Sequence, residues 1–293
     1  MFGWPDGFIP IVEIEIASSR DADRDVLIAA LSELGNDDRF AFKAGATGPI
    51  VIAGTDERDL ERSLEELRRK HPGSVTIGPP QIAYRETVTQ SASIDYTHKK
   101  QVAGAGEFAR VMLAVAPGAD GVATFRSEVG GTVPTTHVAG VGQGIEDGLL
   151  AGVVAGFPVI DIAIVLKDCA YHEIDSSRQA FHIAGLRALR EALAQAAPVL
   201  LEPIMTVAIE VPAESVARIA SDLRSRRGVI KQRVDIPPDG VSIVALVPAA
   251  NLLGYALALR AMSRGRASYE ASFDRYAPVP PDPPFSPAVG MRA

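Results

Sequence analysis

Val12, Ile14 and Ile16 alternate with Glu13 and Glu15, the period-two pattern of a strand with one face buried. The pattern then changes to a helical period: Leu27, Ala30, Leu31 and Leu34 share one face of a helix predicted over Asp21–Leu34. Acidic residues crowd its first turn and Gly35 lies just past its end, as the helix dipole and a left-handed C-cap favour. Short apolar runs at Phe40–Ala44 and Ile50–Ala53 predict two strands. Leu60, Leu64 and Leu67 mark a helix over Asp56–Lys70, and Val75–Ile77 predicts a closing strand before Gly78-Pro79-Pro80. The order βαββαβ over residues 1–80 is that of a ferredoxin-like unit.

The same order returns over residues 198–278. Met205, Val207, Ile209 and Val211 alternate. Val216, Ile219, Ala220 and Leu223 lie on one face of a helix over Glu214–Arg226. Strands at Val229–Ile236 and Val241–Val247 meet at the turn Pro237-Pro238-Asp239-Gly240. A helix over Ala249–Ser263, ended by Gly265, and a strand over Ala267–Tyr276 complete the unit, and residues 279–293 form a Pro-rich tail. Residues 81–197 read differently, as an α/β segment with no third βαββαβ. Polar strands come first, then the Gly-rich loop Ala103–Gly106, strands at Val111–Val115 and Val122–Val129, and a helix near Gln143–Gly152. Phe157–Leu166 is a buried strand, and a long helix runs over Ser177–Ala196. The fold class is therefore α+β: two ferredoxin-like units flanking a central α/β domain.

Composition narrows what such a chain can do. Apolar residues make up 47% and charged residues 22%, so a sizeable core forms without cross-links. Cys169 is the sole cysteine, which excludes an internal disulfide and fits a reducing, cytoplasmic setting. The first residues lack the basic and apolar regions of a signal peptide. The longest apolar run, Leu149–Ile160, is too short and too rich in Gly and Pro to span a membrane. The net charge of −7 argues against indiscriminate polyanion binding and leaves local RNA contacts open.

Candidate chemistry concentrates in Tyr171–Ser177, which holds an imidazole, two carboxylates and two hydroxyls. His172, Asp175 and Ser176 or Ser177 are the residue types of a hydrolytic triad. Triad members normally converge from separate segments, however, and no G-x-S-x-G elbow accompanies them. Asp175 or Ser176, just before the long helix, reads better as its N-cap. Cys169 on an apolar strand reads as an inert core residue, and no second ligand cluster accompanies the loop to hold a metal. Gly104-Ala105-Gly106-Glu107-Phe108-Ala109 satisfies G-x-G-x-x-A, but lacks the apolar strand before it and the helix after it that a dinucleotide site needs. No Gly-Lys pair is present, so no P-loop is expected. Arg224, Arg226, Arg227 and Lys231 crowd a helix end and the next strand. They read either as a solvated basic terminus or as a phosphate contact.

Longer motifs add a resemblance. Gly78-Pro79-Pro80-Gln81-Ile82-Ala83-Tyr84-Arg85-Glu86, the run from Lys99-Lys100-Gln101 to Val111, Ala155-Gly156-Phe157-Pro158-Val159-Ile160-Asp161, Ala170-Tyr171-His172-Glu173-Ile174-Asp175-Ser176-Ser177 and Pro198–Met205 stand in one order. With Ser225-Arg226-Arg227-Gly228, Gly254-Tyr255 and Gly265-Arg266-Ala267, they resemble the C-terminal three-domain part of bacterial elongation factor G, the translocation GTPase. The resemblance implies the family's domain III over 1–80, domain IV over 81–197 and domain V beyond, with the GTPase and β-barrel domains not among these residues. It implies a domain IV tip made of Gly104, Ala105, Gly106 and Glu107 with Tyr171, His172, Glu173 and Asp175, which meets rRNA and the mRNA–tRNA at the decoding site. It further implies domain V ribosome contacts at Arg226, Arg227 and Lys231.

The match is weakest in domain III, where Ala53–Leu60 replaces the family's G-M-G-E-L-H-L. Val102, Ala103, Ala105 and Glu107 depart from the usual tip loop, and Gln143 and His137 stand where lysine and tyrosine are common. The expected protein is a ribosome-binding, elongation factor G-like chain with no cofactor of its own. GTP would enter only through a G domain outside these residues; a separately encoded G-domain protein is one partner that could supply it. The alternatives are a truncated or divergent paralogue acting as an interaction module without translocation activity, and a small hydrolase.

Overall fold

The computed structural model describes residues 8–18, 24–34, 40–44, 50–70, 75–102, 105–119, 121–131 and 133–280. Gly104, the Gly35 cap, the first residues of the first predicted helix and the Pro-rich tail beyond Pro280 lie outside them. The chain divides into two compact units, one built from residues up to Ala83 together with those from Glu202 onward, the other from Tyr84–Leu201. No helix among the described residues is long and apolar enough to cross a membrane.

The first unit holds both ferredoxin-like sheets. Strands β1 (Val12–Ser18), β2 (Phe40–Ala44), β3 (Ile50–Gly54) and β4 (Val75–Ile77) lie in the order β2-β3-β1-β4, with β5 (Gln81–Ile82) also on β1. Helices α1 (Arg24–Leu34) and α2 (Glu57–Lys70) pack with it through Leu27, Leu31, Leu60 and Leu67, the positions that the helical period marks. The second sheet repeats the order as β12-β13-β11-β14, from β11 (Pro198–Pro212), β12 (Val229–Ile236), β13 (Gly240–Pro248) and β14 (Ser268–Pro278). Met205, Val207, Ile209 and Val211 are buried with Val241, Ile243, Ala245 and Val247. The long helix expected over Ala249–Ser263 is broken. A 3₁₀ turn covers Ala249–Asn251, Gly254 adopts φ +68°, and α6 covers only Tyr255–Ser263. The positive φ suits glycine and ends the first turn there. The preceding helix likewise starts with a 3₁₀ turn, so α5 is Val216–Ser225.

The second unit is a four-stranded sheet in the order β7-β8-β10-β9, with β7 (Ala92–Val102), β8 (Ala105–Pro117), β9 (Ala123–Ser127) and β10 (Ile162–Ala170). Strands β7, β8 and β10 are antiparallel; β9 and β10 are parallel, joined through α3 (Thr135–Leu149). Strand β6 (Arg85–Val88) pairs with the first residues of β11. Helix α4 (Arg178–Gln195) packs with α3, β7 and β8, and buries Phe181, Ala184, Leu189 and Leu193 with Val111, Leu113, Ile164 and Leu166. Strand β8 is longer than its apolar core Val111–Val115 because it forms a hairpin with polar β7 out to Val102↔Ala105.

Two features hold this unit together. Gly140, Gly144 and Gly185 let α3 and α4 touch backbone to backbone. A Cβ at Gly140 would lie 2.5 Å from the Arg178 carbonyl oxygen, one at Gly185 2.7 Å from that of Val141, and one at Gly144 would fall on that of His182. The second feature is the carboxylate of Glu86, only 1% exposed. It accepts the backbone N–H groups of Val154 (2.8 Å), Ala155 (2.8 Å) and Phe157 (3.0 Å). Main-chain bonds between Glu86 and Pro158 and Ile160 fix the same segment against β6. These bonds explain why β10 starts at Ile162 and not at Phe157. The residues before it are spent on Glu86, and Asp161 (φ +52°) takes the N–H groups of Gly118 and Gly121.

Two stability changes follow. Gly144→Ala is expected to destabilise the unit by roughly 2 kcal/mol through overpacking against backbone. Gly142→Ala, where a Cβ finds ordinary contact at 3.4 Å from Phe125, gains about 0.5 kcal/mol of helix propensity. Opposite shifts in denaturation midpoint check the pair. Glu86→Ala leaves three part-buried amide bonds without an acceptor, costs roughly 3 kcal/mol, and accelerates hydrogen exchange at Val154, Ala155 and Phe157.

Candidate functional site

Strand β10 runs antiparallel to β8, and their pairing ends at Ala170↔Arg110. The loop that follows β10 therefore emerges beside the end of the β7–β8 hairpin. The structure brings the two predicted loops together there. Phe108 N–H donates to the Asp175 carbonyl (2.8 Å), and the Ser176 hydroxyl donates to the Phe108 carbonyl (2.7 Å). The same hydroxyl accepts the His172 N–H (2.9 Å), and Ser176 N–H donates to the His172 carbonyl (3.1 Å). Gly106 lies close to this contact: a Cβ there would sit 2.6 Å from an Asp175 carboxylate oxygen, so the Asp175 side chain would have to turn aside.

Gly106 and Glu107 lie in β8 opposite Gln101 and Lys100, and Ala105 opens the strand against Val102. Glu107 does not stand alone: its carboxylate meets His98 Nε2 at 2.9 Å. The hydrogen bond from His98, helped by Lys100, holds that carboxyl below the usual glutamate range. On the other loop, Tyr171, His172 and Glu173 are exposed and Asp175 is half-buried. His172 Nδ1 lies 3.3 Å from the Asp175 carboxylate and 3.4 Å from the N–H groups of Ile174 and Asp175. Ile174 is 86% exposed, an apolar side chain held out at the apex. Below, Tyr171 leans on His137 (ring centroids 5.5 Å apart), which stacks on Phe181 at 4.6 Å. His137 Nδ1 is enclosed with no hydrogen-bond partner among the described residues, and burial pushes its pKa down.

The helix cap is Ser177, whose hydroxyl accepts the Ala180 N–H at 3.1 Å, and not Asp175 or Ser176. Both serine hydroxyls are thus bonded to main-chain groups, and the imidazole faces Asp175. The loop has no Ser–His pair of the kind that hydrolysis needs. Cys169 is buried, and desolvation with nearby Asp168 raises its thiol pKa to about 11, so it is no thiolate nucleophile. Among the described residues no three His, Cys, Asp or Glu side chains are grouped to hold a metal ion. Of the G-x-G-x-x-A run, Ala105–Ala109 lies in a strand and not at a helix N-terminus that could hold a pyrophosphate; Gly104 lies outside the described residues.

The basic candidates of the C-terminal sheet divide by geometry. Arg226 donates to Asp222 (2.8 Å) and to the Asn251 carbonyl (2.7 Å), and its guanidinium lies 4.8 Å above the Tyr255 ring. Arg227 makes a two-pronged pair with Glu202, which is 3% exposed. Lys231 is exposed on the edge strand β12. Sequence reasoning missed Ser176, His98 and His137 as parts of the tip. Only the strand register, which sets His98 opposite Ala109 and so diagonally across from Glu107, brings the first-strand histidine into reach.

Comparison with known proteins accords with this geometry. The family described as elongation factor G, domain IV, matches residues 80–197, and the elongation factor G C-terminus matches 199–286. An elongation factor G from Rhodopseudomonas palustris (strain BisB18) is 43% identical over 276 residues, 92% of this chain and 40% of that protein. A crystal structure from Thermus thermophilus superposes with a TM-score of 0.69 at 32% identity, covering 93% of this chain and 41% of the other. The chain thus spans about two fifths of the relatives that it matches. From its motifs, its sheets and these matches, the chain belongs to the elongation factor G family, as its C-terminal part.

Proposed function

We propose that this chain binds the ribosome as an elongation factor G-like component of translation, with the loops around Gly106–Glu107 and Tyr171–Asp175 as its contact to RNA in the decoding region. The observation that carries the reading is the joining of those two loops at one end of the β7-β8-β10 sheet, with His172 and Ile174 held outward. An exposed imidazole and an apolar apex suit stacking against unpaired bases, a mode of contact that tolerates sequence. Lys99 and Lys100 on β7 supply positive charge on the strand that leads to the tip, and His98 engages the carboxylate of Glu107 at 2.9 Å. The 293 residues contain no phosphate-binding loop, so any GTP hydrolysis falls to a G domain outside them, in the same protein or in a separate partner. The place of action is the cytoplasm, where ribosomes are.

In the C-terminal sheet, Lys231 is the direct ribosome contact of this reading. Arg226 and Arg227 act one step back: they fix the turn between α5 and β12 and leave few donors for phosphate. The alternative of an interaction module without translocation activity draws on that engagement of both arginines and on the carboxylate of Glu107 at the tip.

Co-sedimentation with ribosomes tests the reading. The intact chain is expected to pellet with them, with affinity falling as salt rises. His172→Ala is expected to weaken binding roughly tenfold at an unchanged melting midpoint, the size of one lost stacking contact. No pelleting at moderate salt, while a full-length family member binds, would overturn it. Lys231→Glu and Arg226→Ala separate contact from support. Lys231→Glu should weaken ribosome binding and leave stability alone. Arg226→Ala should cost about 2 kcal/mol in denaturation, from two hydrogen bonds and the cation–π contact.

A further inference from the structure

We propose that Ser176 is the positioning residue of the tip, whose hydroxyl locks the loop after β10 to the end of β8 so that both loops meet RNA as one body. The proposal rests on the ribosome-binding reading for its consequence, and on geometry for its substance. Beyond Ala170↔Arg110 the β10–β8 ladder stops, and β8 continues to Ala105 with its β10 side unpaired by strand. Phe108 is the next residue on that side that needs partners, and it finds them in the loop. Its N–H goes to the Asp175 carbonyl at 2.8 Å, and its carbonyl takes the Ser176 hydroxyl at 2.7 Å. A serine hydroxyl has one proton to give and two lone pairs to offer. Here the proton goes to β8 and a lone pair takes the His172 N–H at 2.9 Å. The half-buried hydroxyl thus substitutes for a strand, and the residue that it holds is the one that presents the exposed imidazole.

The neighbouring serine is a natural control. Ser177 caps α4 through Ala180 N–H and touches neither Phe108 nor His172 among the described hydrogen bonds. Removing its hydroxyl loosens the helix start; removing that of Ser176 uncouples the loops. Gly106 adjoins the arrangement, with the Asp175 carboxylate in the space next to its Cα.

The test compares wild type, Ser176→Ala, Ser176→Thr and Ser177→Ala in the intact chain by amide hydrogen exchange, melting midpoint and ribosome co-sedimentation. In Ser176→Ala the His172 amide is expected to exchange about tenfold faster and ribosome affinity to fall about fivefold, the scale of one or two hydrogen bonds. Core amides of β8 and α4 should be unchanged. Ser176→Thr, which keeps the hydroxyl, retains both properties. Ser177→Ala lowers the melting midpoint and leaves the His172 amide protected. Unchanged His172 exchange in Ser176→Ala, equal loosening by Ser177→Ala, or a threonine variant that behaves like alanine each overturns the proposal. If the wild-type chain does not bind ribosomes, the functional reading fails on its own, and the exchange comparison still decides the role of Ser176.

Discussion

Where α3 crosses α4, the two helices meet at their backbones. A side chain at Gly140, Gly144 or Gly185 would have to enter the carbonyl groups of the opposite helix. That approach fixes where α4 lies on the sheet, and hence where its first turn and the Ser177 cap sit. Phe181, in the same first turn, is wholly buried and carries the stacked His137, on which Tyr171 leans. The position of the candidate RNA contact is therefore set by a packing constraint from the helix layer. The loop adds its own bonds to Phe108 of β8, and a loop without such support would not hold an exposed imidazole in one place.

Much of this architecture was legible in the residues. Alternation at Val12–Ile16 and helical spacing at Leu60, Leu64 and Leu67 gave elements that the structure shows within a residue or two, because one-sided burial imposes those periods; alternation at Met205–Val211 marked only the second half of β11, which starts at Pro198 where it pairs with β6. Legibility failed where main-chain bonds outweighed side-chain pattern. Phe157–Asp161 is apolar like a strand, yet its amides serve Glu86 and β6, so the strand starts later. The C-terminal helix reads as continuous from Ala249, yet Gly254 takes a left-handed conformation that divides it. At the tip, the motif residues were evident. The division of work between Ser176 and Ser177 was not, since both are serines before a helix and only the position of Phe108 separates them.

Charge tells a similar story. A cluster of Arg226, Arg227 and Lys231 looks like a phosphate site in sequence, where all cations are equal. In space, Arg227 neutralises Glu202, which is almost wholly enclosed, and Arg226 ties Asp222 to the Asn251 carbonyl over the Tyr255 ring. A buried carboxylate that loses its partner costs far more than an exposed cation gains from a distant phosphate, so these arginines are held by the fold. Arg227 and Lys231 are both exposed, but Arg227 is tied to Glu202, which leaves the lysine on the edge strand as the one of the three without an ion pair among the described residues. The same logic applies to Glu107, whose carboxylate is engaged by the His98 imidazole 2.9 Å away.

The tip can then be understood as a small piece of sheet extended past its last strand. Strand β8 outruns β10 by the five residues from Ala105 to Ala109, and its main-chain groups still need partners, because an unmet amide or carbonyl in a half-buried place is costly. Asp175 and Ser176 meet that need for Phe108, one with a carbonyl and the other with a hydroxyl. Since the hydroxyl also takes the His172 N–H, satisfying β8 and shaping the contact loop become one event. A force applied at His172 or Ile174 is thereby passed to the strand whose other neighbour, β7, carries His98, Lys99 and Lys100. The tip thus answers contact as part of the sheet, which a free loop with the same residues could not do.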